Sequence, residues 1–279
     1  MKENGFLVKI ISSIVMVFSA ILFIIPIVFL FINSFKGQSF IEKSFFSVPD
    51  LESFVGFGNY FEALIETDFL FSLIISIFIT AISVWFIMFV SSMAAWMISA
   101  AKNIFSKILF FFFLFCLAVP FETMMFIFPQ MLRYLDLNNP LGIIFINIGF
   151  AIPFNIFVYS LFAGLIPANI EKAAFLEGCS PIRIFFEIIS PILRPVTLAL
   201  ALINTVWLWN DFLISGSVLG TASYKTLPLF IADLGLYQSS KPGVFIAVLV
   251  LSLIPIFVFY KRFNSRIVRK IEDTIKTGE

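Results

Sequence analysis

The chain alternates long charge-free apolar runs with short polar interruptions. Residues 10–35 and 69–101 hold no charge, and both exceed the ~20 apolar residues with which an α-helix crosses a hydrocarbon core. Residues 108–128 form a third run, interrupted only by Glu122. Residues 137–170, 195–215 and 242–260 supply the fourth, fifth and sixth. These runs lack the two-residue alternation of a membrane β-barrel. The pattern predicts an all-α, polytopic membrane protein with six transmembrane helices. The first run is too long for a signal-peptide core and lacks a small-residue cleavage site, so it is expected to stay as a helix.

Composition agrees. Apolar residues make up 61% of the 279, charged residues 13%, and the mean hydropathy is +1.07. A soluble domain carries roughly a quarter charged residues because its surface faces water, so this surface must face lipid. A net charge of +1 argues against a nucleic-acid partner. With no histidine, histidine metal sites, Ser-His triads and imidazole proton relays are excluded. The cysteines, Cys116 in a span and Cys179 in a loop, are not expected to bridge. No metal cluster and no paired carboxylates at one depth are visible, so no catalytic residue, metal or cofactor is expected.

Lysine and arginine are retained on the cytoplasmic side. With both termini inside, thirteen of them fall on inner segments and five (Lys36, Lys43, Arg133, Lys225, Lys241) on outer ones. Both termini are therefore expected in the cytoplasm. The outer segment 37–68 fits, with six acids against Lys43 and, at its edge, Lys36.

The interruption at 167–191 carries helix punctuation. Asn169 is expected to N-cap a first short helix, with Glu171 suiting its dipole. Gly178 stands where a helix ends in the left-handed conformation. Ser180-Pro181 pairs an N-cap with proline at the first helical position, so a second helix starts at once. Pro191 is expected to stop it and Pro195 to open the fifth span. Ala173 and Ala174 offer a short-side-chain face for close packing. Spacing alone fits a helix lying on the membrane surface equally well.

Lys172-Ala-Ala-Phe-Leu-Glu-Gly178, nine residues, then Ile188-Ile-Ser-Pro191 resembles the EAA signature of binding-protein-dependent ABC permeases. In that pattern Glu-Ala-Ala, three residues, Gly and nine residues precede Ile-x-Leu-Pro. Nearly the whole chain is similar to the smaller, six-span permease of maltose-type carbohydrate importers. Further resemblances are Pro26 with Ser34-Phe35-Lys36, Leu51-Glu-Ser-Phe with Asn59-Tyr60, Ile166-Pro167, Trp209-Asn210-Asp211-Phe212 and Thr226-Leu227-Pro228. Two features depart from the family: the signature glutamate is Lys172, and the tail 261–279 lacks a glycine-rich ending.

The resemblance implies an ABC importer type I transmembrane fold whose 167–191 loop docks as a coupling helix into a separate ATPase. Glu171, Lys172, Ala173, Ala174, Glu177 and Gly178 would form that contact, with Glu171 and Glu177 making polar contacts and Lys172 meeting an acidic site. It implies as partners a second, homologous permease, a cytoplasmic ABC ATPase dimer and an extracellular or periplasmic solute-binding protein. No Gly-x-x-x-x-Gly-Lys phosphate loop occurs, so ATP hydrolysis falls to the partner. The expected organisation is a first helix plus outer segment (1–67), a transmembrane core (68–263) and a cytoplasmic tail (264–279).

Polar residues within the spans are the remaining candidates. Ser72, Ser76, Thr80 and Ser83 share one helical face, and close helix packing is the preferred explanation. Asn147, Asn155, Tyr159, Asn204, Trp207 and Asp211 are candidate pathway residues, since a polar solute needs amide and hydroxyl partners beside flat apolar surface. Asp211 lies roughly 24 Å along the fifth helix from Pro195, and Glu122 at a similar height, so bracing the outer end is expected of them. The functional expectation is a permease subunit that forms half of the path for a sugar or oligosaccharide. An amino-acid or peptide ABC permease is the alternative, and an ion-coupled secondary transporter, which would want repeated halves or mid-membrane charges, is less favoured.

Overall fold

The computed structural model describes the backbone of residues 2–125, 127–220, 224–237 and 241–277. Side chains are described for those residues apart from 2–8, 10, 121, 122, 237 and 263–277. Glu122 and the charged tail therefore lie outside the described side chains. The described residues form fourteen α-helices, one π-helical segment and no strand beyond a single bridge between Lys36 and Phe54. In order the helices are α1 (Lys2–Asn33), α2 (Gln38–Ile41), α3 (Gly58–Ile65), α4 (Phe69–Ala101), α5 (Ile104–Cys116), α6 (Phe121–Met124) and α7 (Ile127–Tyr134). There follow α8 (Pro140–Ala163), α9 (Ala168–Leu176), α10 (Pro181–Ile184), the π segment Phe185–Ile189, α11 (Ser190–Trp209), α12 (Leu213–Leu219), α13 (Leu227–Tyr237) and α14 (Pro242–Thr277).

Five stretches are long and apolar enough to cross a bilayer: Ile11–Asn33, Phe69–Ala101, Pro140–Ala163, Pro181–Trp209 and Pro242–Arg262. They match the first, second, fourth, fifth and sixth predicted runs. The third differs. It is a 13-residue helix, α5, about 20 Å long at 1.5 Å per residue, followed by a turn and the short α6 and α7. Pro120 explains the break: it lacks an N–H and keeps the preceding residue out of helical conformation. Ala118 N–H and Val119 N–H close tight turns onto Phe115 O and Cys116 O instead.

The start of the fifth span also differs from expectation. Pro191 does not stop a helix and Pro195 does not open one, because the helix passes through both into α11. The π segment makes this possible. Its wider turn lets Ser190 N–H reach back to Phe185 O, and this re-pairing admits proline just after the bulge.

The chain divides into two compact units, residues 1–70 with 230–254, and 71–229 with 255–279. In the first, the outer segment is fastened to the end of α1 by side chains. Asn59 Nδ2 donates to Ser34 O at 2.8 Å and Lys36 O at 2.9 Å, and Tyr60 and Ser34 share a 2.6 Å hydroxyl bond. Lys36 is fully buried and donates to Ser44 O. Burial holds its pKa below the usual value, and the Asp50 carboxylate opposes that shift. Gly243 permits the same brace: a Cβ there would meet the Asn59 amide at 2.7 Å.

In the second unit two apolar clusters pack the spans. One joins α4, α8, α9 and α11 through Ile87, Trp96, Ala151, Ile156, Ala174 and Leu193. The other joins α4, α7, α8 and α12 through Ile79, Leu132, Ile143 and Val218. Ser72, Ser76, Thr80 and Ser83 are all buried, as small hydroxyl residues are where helices approach closely.

Candidate functional site

The polar bend is built by α9, a left-handed turn and α10. α9 starts one residue after Pro167, so Asn169 lies inside its first turn and does not cap it. The expected Asn169 cap is thus corrected: Pro167 occupies the N-cap with an extended backbone, and no side chain caps that end. Gly178 adopts φ +82°, the region an L-residue with a Cβ avoids. Cys179 N–H closes onto Ala174 O and Gly178 N–H onto Phe175 O, which ties off the helix end. Ser180 then accepts from Arg183 N–H, with Pro181 beside it.

The residues of α9 divide between two faces. Ala174 is buried in the apolar cluster. Glu171 is half-buried because its Oε1 accepts a 3.0 Å bond from Trp96 Nε1 of α4. Lys172, Ala173 and Glu177 are exposed, as are Phe175 and Leu176, the latter at 90%. The two alanines therefore do not share a face: Ala174 seats α9 on the spans and Ala173 points away. Sequence reasoning missed Phe175 and Leu176, although apolar residues in a polar loop were the signal. It also missed Trp96, which lies 75 positions from its partner.

The candidate pathway residues form a buried polar seam. Asn155 and Asn204 exchange amide bonds, Asn204 Nδ2 to Asn155 Oδ1 at 2.9 Å and Asn155 Nδ2 to Asn204 Oδ1 at 3.2 Å. Each also donates to a carbonyl of its own helix at 2.8 Å. Tyr159 donates to Thr197 Oγ1 at 2.9 Å. These side chains clamp α8 to α11. Asp211 accepts from Ile214 N–H, Ser215 N–H and Ser215 Oγ at 3.0–3.1 Å, so it braces the start of α12. Asn147 is buried beside Asp211, Thr80, Ser215 and Thr226 around a cavity of about 10 Å³, a space for no more than one water molecule. Of the six, Trp207 is the one with a large exposed share, 45%. Cys116 and Cys179 are free thiols, and no group of metal-ligating side chains occurs among the described residues.

The profile of the family described as binding-protein-dependent transport system inner membrane component matches residues 87–273. The chain belongs to this family. As a member it is a multi-pass transport component, and the bend at 167–191 lies within the matched region. It is 27% identical over 252 residues to the probable starch degradation products transport system permease protein AmyC of Thermoanaerobacterium thermosulfurigenes, covering 90% of this chain and 91% of that one. It is 28% identical to the diacetylchitobiose uptake system permease protein NgcG of Streptomyces coelicolor, covering 92% and 85%. The multiple sugar-binding transport system permease protein MsmG of Streptococcus mutans is also 28% identical, covering 89% and 90%. The fold is shared with a bacterial ABC transporter chain involved in the import of the acidic polysaccharide alginate, at a TM-score of 0.72 and 20% identity, covering 94% of this chain and 97% of that chain.

Proposed function

We propose that this permease forms half of the membrane path for a sugar or oligosaccharide, handed over by an extracellular binding protein and driven by a separate ABC ATPase. Both termini lie in the cytoplasm, as the lysine and arginine distribution favours. The carrying observation is the exposed tip of α9, with Lys172, Ala173, Phe175, Leu176 and Glu177 outward while Ala174 and Glu171 hold its base to the spans. A short rigid helix fixed at its base and bare at its tip can pass a push from a docked protein to the helices behind it. Glu177 and Lys172 then make the polar contacts with the ATPase, and Glu171 holds the element in place.

In this account Asn155, Tyr159 and Asn204 hold α8 against α11 beside the path. Asn147 and Asp211 stiffen its outer end, and Trp207 offers flat aromatic surface to a sugar ring. The chain itself has no catalytic role. A carbohydrate as cargo rests on the named cargoes of the relatives.

A deletion strain tested against a panel of labelled mono- and oligosaccharides, amino acids and peptides examines this directly. Loss of uptake of one carbohydrate is expected, together with copurification of a nucleotide-binding protein and a second permease. Loss confined to amino acids or peptides would overturn the cargo, and absence of a copurifying ATPase would overturn the mechanism.

A further inference from the structure

We propose that the cleft where α4, α5 and α8 meet binds the phosphate headgroup of an anionic phospholipid. The cleft encloses about 240 Å³ and brings Ser99, Lys102, Ser106, Lys107 and Ser160 to one space. Lys102 sits in the turn between α4 and α5 with φ +46°, and Lys107 follows on α5. Neither lysine's ammonium group has a hydrogen-bond or ion-pair partner among the described residues. Ser160 Oγ is buried with no hydrogen-bond partner among the described residues. Two unpaired ammonium groups and a spare hydroxyl match the acceptor-rich, singly charged phosphate of such a lipid.

The rest of the lining is apolar: Ile98, Phe110, Phe111 and Leu161. Phe111 is 63% exposed, and α5 continues the same surface with exposed Phe112 and Phe115. A soluble anion would meet only the lysine half of this cleft, whereas a lipid meets both halves, headgroup on the lysines and acyl chains along the phenylalanines. Zwitterionic lipids are disfavoured because their own cation would face the two lysines. Basic pockets between spans at the membrane surface recognise anionic headgroups in this way.

The test uses the purified full-length transporter complex in nanodiscs with a spin-labelled phosphatidylglycerol or phosphatidylcholine probe. Lys102→Gln/Lys107→Gln should weaken phosphatidylglycerol binding roughly thirtyfold and leave phosphatidylcholine binding unchanged. Lys102→Gly/Lys107→Gln should do the same, and here glycine suits the left-handed turn, so the loss is not one of folding. Inorganic phosphate at matched concentration should fail to displace the lipid. Equal phosphatidylglycerol binding by wild type and both variants, or no preference over phosphatidylcholine, or displacement by inorganic phosphate, would each overturn the proposal.

Discussion

Trp96 Nε1 donates to Glu171 Oε1 across 3.0 Å and so fastens the fourth helix to the base of α9. Trp96 is itself buried, in ring contact with Phe185 of the π segment at 5.8 Å between centroids. One indole thus touches both the short helix that carries the exposed tip and the helix that leads into the fifth span.

Trp96→Phe keeps the ring and removes the donor. It should destabilise the protein by about 1.5–3 kcal/mol, as expected for a hydrogen bond to a carboxylate. Thermal unfolding of Trp96→Phe, Glu171→Gln and the double variant in detergent measures this, and the double should be less destabilised than the sum. Strict additivity would mean that the two side chains act separately.

The Asn155–Asn204 pair predicts a reversal of the usual order. Asn155→Leu alone strands a buried amide and should cost about 1–3 kcal/mol. The Asn155→Leu/Asn204→Leu variant removes both polar partners and should be at least as stable as the single one. The unfolding midpoints of the two variants decide the matter.

How much of this was legible in the chain depends on the distance over which each feature is decided. The ends of α4 were readable to the residue, because Asp68 and Lys102 bracket its charge-free run. Gly178 and Ser180-Pro181 were readable because caps depend on neighbours alone. The break after Cys116 was hidden by surrounding phenylalanines, which outweighed Pro120 in a count of apolar residues. Continuity through Pro191 was hidden because a π turn has no compositional mark. Asn155 and Asn204 could be named as candidates, but their pairing across 49 positions is tertiary.

Gly178→Ala should cost about 1 kcal/mol through the backbone alone, since nothing lies within 4 Å of the added Cβ. Gly178→Asn should be milder, because asparagine tolerates the left-handed region better. Thermal unfolding ranks the three proteins, and equal midpoints for Ala and Gly would show that the turn rearranges.

The π segment joins the bend to the fifth span. Deleting one residue there, Phe186, should restore α-helical pairing and remove the wide turn through which the bend enters α11. The complex should still assemble, but substrate-stimulated ATP hydrolysis should be lost. Retained stimulation would show that the wide turn is unimportant.

Lys241 pairs with Glu62 and lies 3.7 Å from Glu66. The hydrogen bond to Glu62 raises its pKa above the ordinary 10.5, with the charges of Glu62 and Glu66 adding to it and desolvation opposing. The folded state therefore holds this proton more tightly than the unfolded chain. Its stabilisation is complete below that ordinary value and disappears as the pH climbs through the raised one. The midpoint difference between wild type and Lys241→Met should be flat near about pH 9 and shrink towards about pH 12, and added salt should reduce it because the pair is partly exposed.

The exposed tip of α9 is expected to meet an ATPase. Leu176, 90% exposed at the end of that helix, is the position to probe, by single-cysteine crosslinking of Leu176→Cys in the assembled complex after Cys116 and Cys179 are replaced. The prediction is a crosslink to the copurifying ATPase whose yield changes with ATP, while Ala174→Cys, which starts from a buried position, gives none. An assembled, ATP-hydrolysing complex in which Leu176→Cys never crosslinks to the ATPase would contradict it.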